Sequence, residues 1–178
     1  MAPTVSEKTI IAEASPLRES VTVGDIGGGK KTNPLWTSQV SSEDFAETLR
    51  QAFTAHTMLS MEDGDYRLDA ELVKLKQPLA GFNMTVTADV KYTLTEVATG
   101  DVVIDEVIST PYTAKTSDAF IAVERLRLAN EGSIRENITQ LITMMIERVD
   151  GKSDADEMSD EGAADEAETA DETADVSS

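Results

Sequence analysis

Phe82-Asn83-Met84-Thr85-Val86-Thr87-Ala88-Asp89-Val90-Lys91-Tyr92-Thr93-Leu94 is the stretch that decides the fold. Phe82, Met84, Val86, Ala88, Val90, Tyr92 and Leu94 fall on one face, and the polar residues between them fall on the other. Successive side chains of a strand point to opposite faces, so this is a strand with one dry and one wet side. A half-wet strand belongs in an antiparallel sheet, because parallel sheets are covered on both faces.

Downstream, Ala98-Thr99-Gly100-Asp101 turns the chain into a partner strand over 102–113. Upstream, Tyr66, Leu68, Ala70 and Leu72 alternate in the same way. The phase then slips to Val73 and Leu75, which implies a β-bulge. Gln77-Pro78-Leu79-Ala80-Gly81 separates that strand from the next. A short first strand is expected at 20–26, ended by Gly27-Gly28-Gly29.

Two helices complete the pattern. Ser41 is the expected N-cap of the first, over 42–58. Asp44 sits where a capping box places its acid, and Val40 and Phe45 are spaced as a hydrophobic staple. Phe45, Leu49, Ala52 and Phe53 repeat at helical spacing. The second helix is expected to be capped by Ser117. Phe120, Val123 and Leu126 begin its buried stripe, and Ile134, Ile138, Leu141, Ile142, Met145 and Val149 continue it. Asn130-Glu131-Gly132 is a place where it would bend.

The order β-α-β-β-β-α gives an α+β fold: one domain, a four-stranded mainly antiparallel sheet, and two helices on one face. Residues 1–19, polar and without periodicity, are expected to be a flexible leader. Residues 20–150 form the domain. Residues 151–178 are Ala, Asp, Glu, Ser and Thr with almost nothing to bury, and are expected to be a disordered acidic tail.

Charge excludes one class of partner. Residues 151–178 hold eleven acids against one lysine, and residues 1–150 hold 23 acids against 14 bases, for −19 in all. Such a chain repels phosphate backbones, so nucleic acid is not an expected partner. There is no cysteine, which removes disulfides and thiolate chemistry. Residues 1–19 show no signal peptide. Either the protein is cytosolic, or an export segment has been replaced by Met1.

No motif carries catalysis. Gly24-Asp25-Ile26-Gly27-Gly28-Gly29-Lys30-Lys31 nearly spells a phosphate-binding loop, but Lys31 stands where the magnesium-binding hydroxyl belongs. Thr32-Asn33-Pro34 then resists the helix that the loop needs. His56, the only histidine, falls late in the first helix with no nucleophile motif nearby. Glu62, Asp63 and Asp65 around Gly64 miss the calcium-loop pattern. The sequons at Asn83 and Asn137 fall inside expected elements. No catalytic residue, metal ligand or cofactor is therefore assigned. The loop 27–39 supplies the expected partner site: Lys30 and Lys31 for an anionic group, Leu35 and Trp36 for an apolar one. Trp36 has a second reading, as a plug folded back into the core.

Thr32-Asn33-Pro34-Leu35-Trp36-Thr37-Ser38, then Pro78-Leu79-Ala80-Gly81 running into 82–87, then Ser117-Asp118-Ala119-Phe120, then Glu124-Arg125-Leu126-Arg127-Leu128-Ala129-Asn130-Glu131-Gly132 together resemble a family of poorly characterised Gram-negative envelope lipoproteins. The resemblance spans about 21–149. At fold level the layout is similar to the LPS-assembly lipoprotein. The resemblance implies a mature form without its signal and lipidated cysteine, anchored at the outer membrane on the periplasmic side. It implies a non-catalytic binding or assembly role toward envelope lipid, lipopolysaccharide or an envelope protein. Membrane association would come only through the missing lipid anchor. Some similar sequences carry a UDP-N-acetylglucosamine acyltransferase label. Enzymes of that name resemble β-helices with hexapeptide repeats, and no such repeat occurs here. Two alternatives remain: an acyltransferase using His56, and a cytosolic interaction protein acting through its acidic tail.

Overall fold

The computed structural model describes residues 11–28, 41–78 and 81–165, with side chains through 152. Its elements are β1 (Val21–Gly27), α1 (Ser42–Ala55), β2 (Tyr66–Lys76), β3 (Met84–Glu96), β4 (Val102–Ala114) and α2 (Ala122–Asp165). The strands form one open sheet in the order β1-β2-β3-β4. β1 runs parallel to β2, and the other two pairs are antiparallel. The expected α+β fold is the one observed.

Strand β3 buries Met84, Val86, Ala88, Val90, Tyr92 and Leu94, as its alternation requires. Phe82 departs from the expectation: it precedes the strand and is 86% exposed. The bulge in β2 lies between Leu72 and Lys74. Val73 is the extra residue and stays exposed, while Leu75 returns to the helix side, half-buried. One inserted residue thus resets the pleat without turning the whole strand over.

Both helices pack on the same face. Phe45, Leu49, Ala52 and Phe53 of α1 join Ile134, Ile138, Leu141, Ile142, Met145 and Val149 of α2 in one core with Leu68, Val90, Tyr92 and Leu94. Ser41 caps α1 as expected: its hydroxyl accepts from the Asp44 N–H at 3.0 Å. Val40 lies outside the described residues. α1 ends at Ala55 with His56 as its C-cap, short of the expected end at 58, and the chain then doubles back through Thr57, whose φ is +58°.

Three expectations about α2 and the termini are corrected. First, α2 begins at Ala122 and Ser117 does not cap it, so Phe120 and Val123 are not core residues but stand 90% and 70% exposed. Second, the helix runs unbroken through Gly132. A Cβ there would lie 2.3 Å from the Tyr112 ring, so this glycine serves close approach to β4 and makes no bend. Third, the helical backbone continues to Asp165, into the segment expected to be disordered. The preceding turns of α2 spare residues 151–165 the cost of nucleation, which offsets the weak propensity of their Asp, Ser and Gly residues.

The expected leader is also not a loose arm throughout. Residues 11–20 turn across the domain, Leu17 is fully buried, and Ser15 donates to Asp150 at 2.7 Å. Glu19 N–H bonds the Thr57 carbonyl at 2.8 Å, and Val21 N–H bonds Met58 at 2.9 Å. A single large apolar side chain, Leu17, supplies the burial that the polar composition around it hides.

Candidate functional site

The expected partner residues Lys30, Lys31, Leu35 and Trp36 lie outside the described residues. The first residue of the loop expected from Gly27 belongs to strand β1, which ends one residue later than expected. Gly28 follows at φ +80°, pressed against the Leu72 backbone.

The outer face of the sheet is charged and internally paired. Arg67 reaches Asp25 at 2.9 Å and Asp69 at 3.1 Å. Lys91 meets Asp105 at 2.9 Å, and Lys76 meets Asp89 at 2.8 Å. Hydrogen bonds from Lys76 and then Ser109 hold the Asp89 carboxyl below the usual aspartate range. Lys91 and then Thr93 do the same for Asp105. An open groove runs past Asp25, Asp69, Lys91 and Thr93. Asp25 and Asp69 in it are paired with Arg67, so it is a solvated surface whose aspartates are largely charge-matched. Among the described residues no three His, Cys, Asp or Glu side chains converge as a metal site.

Beneath the sheet lies a buried polar seam between α2 and the last two strands. The Ser133 hydroxyl accepts from the Ala88 N–H at 2.9 Å and donates to the Thr110 carbonyl at 2.7 Å, bridging β3 and β4. The Asn137 amide donates to the Ile108 carbonyl and to the Thr110 hydroxyl, each at 2.9 Å, and accepts from the Tyr92 hydroxyl at 2.8 Å. Burial pushes the Tyr92 phenol up. It stays neutral, and the seam fixes helix against sheet rather than moving protons. Asn137, fully buried, is no glycosylation acceptor in the folded chain, whereas Asn83 lies exposed ahead of β3.

His56 is 6% exposed at the C-cap of α1, and its main-chain N–H bonds the Ala52 carbonyl at 3.1 Å.

What remains open is one end of the molecule, where β3 begins, β4 ends and α2 begins. The Thr116 hydroxyl donates to the Phe82 carbonyl at 2.9 Å, tying the two loops together. Around them Phe82, Phe120, Ile121 and Val123 are all exposed. Behind them sits Arg125, 6% exposed, its Nη1 donating to the carbonyls of Ala119 at 2.8 Å and Phe120 at 2.7 Å. Its Nε is buried and has no partner. This is the site the sequence reading missed. A signal was present: Phe120-Ile121-Ala122-Val123 is four apolar residues in a row, and a helix surface cannot bury four consecutive positions on one face.

No family model and no curated protein matches this sequence. Solved structures share its fold. A Xanthomonas campestris protein of the DUF330 family is 14% identical, with a TM-score of 0.57 over 88% of this chain and 98% of its own. A candidate lipoprotein from Caulobacter crescentus is 12% identical, with a TM-score of 0.53 over 77% of this chain and 94% of its own. A hypothetical protein from Chlamydia trachomatis is 10% identical, with a TM-score of 0.51 over 74% and 98%. At these identities the likeness is one of fold. Among the described residues no helix is long and apolar enough to cross a membrane.

Proposed function

We propose that this chain is the non-catalytic domain of a bacterial envelope lipoprotein, with a binding or assembly role in the envelope. The observation that carries the reading is the shared fold: it covers almost the whole of a DUF330 protein and of a candidate lipoprotein, and most of this chain. The packed residues 11–20 fit this reading, since they hold the segment ahead of β1 against α2 at Asp150. A tether attached upstream of them would then be anchored to the folded domain. His56 is 6% exposed, and this burial argues against its use as the base of an acyltransferase.

The test is the gene. Its upstream sequence should encode an export signal ending in a lipidated cysteine, and cells fed labelled palmitate should label the product. A start at Met1 with no label would contradict the envelope reading. Acyl transfer by the purified chain, abolished by His56→Ala, would contradict the non-catalytic one.

A further inference from the structure

We propose that the end of the molecule formed by Phe82, Phe120, Ile121, Val123 and Arg125 docks on an anionic phospholipid. The lipid phosphate would sit at the first turn of α2 and its apolar region on the exposed side chains. The inference deepens the envelope reading and rests on it.

The first turn of α2 offers donors. The N–H groups of Ala122, Val123 and Glu124 have no partner within the helix, as at any helix start. Among the described residues no side chain accepts from them. Ser117, the expected cap, donates instead to Asp118 at 3.2 Å, and Asp118 is taken by the Lys115 N–H at 2.7 Å. The nearby Glu124 carboxylate pairs with Arg127 at 3.1 Å. Helix starts of this kind carry partial positive charge and receive phosphate.

Arg125 is the second, independent observation. A buried guanidinium ordinarily has an acidic partner, because an isolated charge away from water is costly. Among the described residues Arg125 has none: it folds back onto the two carbonyls that lead into α2, and its Nε stays unbonded. A negative charge placed at the helix start would supply the missing counter-charge.

The apolar side chains decide the class of ligand. Exposures of 86% at Phe82, 90% at Phe120, 66% at Ile121 and 70% at Val123 leave large apolar side chains in water around a cationic centre. Clustered exposure of this kind marks an interaction site. A free phosphate would use the donors and leave the rings in water. An apolar protein surface would use the rings and leave the cation unmatched. A phospholipid satisfies both. The net charge of −19 opposes a broad approach to an anionic membrane, so the contact is short-range, one headgroup at a time.

The full chain should be sedimented with vesicles of phosphatidylcholine alone and of phosphatidylcholine mixed with phosphatidylglycerol. We expect tighter binding to the mixed vesicles. Phe120→Ser with Ile121→Ser should weaken binding to them by about tenfold or more, while Met61→Ser, exposed elsewhere, should not change it. Arg125→Gln should remove the preference for phosphatidylglycerol. Should that variant fail to fold, the exposed-residue pair still decides. Equal binding to both vesicles, or no loss in the pair, would overturn the proposal. So would binding of inorganic phosphate at this end with no binding of vesicles. Palmitate labelling is read separately, so a lipidated product that ignores these vesicles would defeat this inference and leave the envelope reading standing.

Discussion

Asn137 and Arg125 stand on the same helix, and both are at least nine-tenths buried, yet their polar atoms end differently. Asn137 is matched on every side by Tyr92, Thr110 and the strand carbonyls. Arg125 keeps an unbonded Nε beside an uncapped helix start. Around Ser133 and Asn137 the helix is thus joined to both strands, although Arg135 between them also keeps a buried Nε without a partner; what sets the beginning apart is an unbonded Arg125 Nε together with an uncapped helix start and exposed apolar side chains. Burial of a polar group is tolerated where partners are built in, and where they are missing the structure is open to an outside partner.

The strongest way to break the comparison is to put an unmatched charge into the joined region. Val86, fully buried, faces α2 on β3, so Val86→Asp should cost about 4 kcal/mol or more and leave the domain unfolded or nearly so. Thr87→Asp, one residue on and on the outer face, should cost less than about 1 kcal/mol. Equal losses in denaturant titrations would mean that the two faces are not distinct. Removing the joint itself comes next. Asn137→Ala strands the Tyr92 hydroxyl and two strand carbonyls, and should cost about 2–4 kcal/mol. Arg125→Gln should cost less than Asn137→Ala, since it removes a group already short of partners.

These residues also show how far the sequence was legible. The alternation at 82–94 and the slip at Val73 were enough to place three strands and a bulge, because a half-buried strand must alternate. The stripe from Ile134 to Val149 was legible for the same reason at helical period. Ser133 and Asn137 were not, since a polar residue within an apolar stripe looks the same in sequence whether it bridges two strands or faces water. Gly132 looked like a breaker because the ring it accommodates, Tyr112, comes from β4, far away in the chain. Phe120 and Val123 were assigned to the core because they extend the stripe at i, i+3 spacing, but α2 begins only at Ala122, so that face is not continued to them. Leu17 was hidden by polar neighbours.

Smaller effects sharpen the picture. Gly132→Ala should destabilise by about 1 kcal/mol, because the new methyl meets the Tyr112 ring and the strain exceeds the gain in helix propensity. In a Tyr112→Ser background the same substitution should stabilise, by up to about 1 kcal/mol. On the outer face, the Asp89 pKa is lower in the folded chain than in the unfolded one. Its contribution is therefore complete above the ordinary aspartate range and is lost as the pH falls through the depressed folded value. Asp89→Asn should shrink the drop in stability on acidification and change little at neutral pH. A variant as acid-sensitive as the parent would show that the Lys76 and Ser109 contacts are not maintained in solution.

Hydrogen–deuterium exchange along α2, with and without vesicles containing phosphatidylglycerol, compares the joined part of the helix with its beginning in one experiment. The free chain should protect the amides around 133–145 most strongly and those at 119–124 hardly at all. Adding the vesicles should slow exchange at 119–124 and leave the seam unchanged. Strong protection of 119–124 in the free chain, or no slowing there when vesicles are added, would contradict the account.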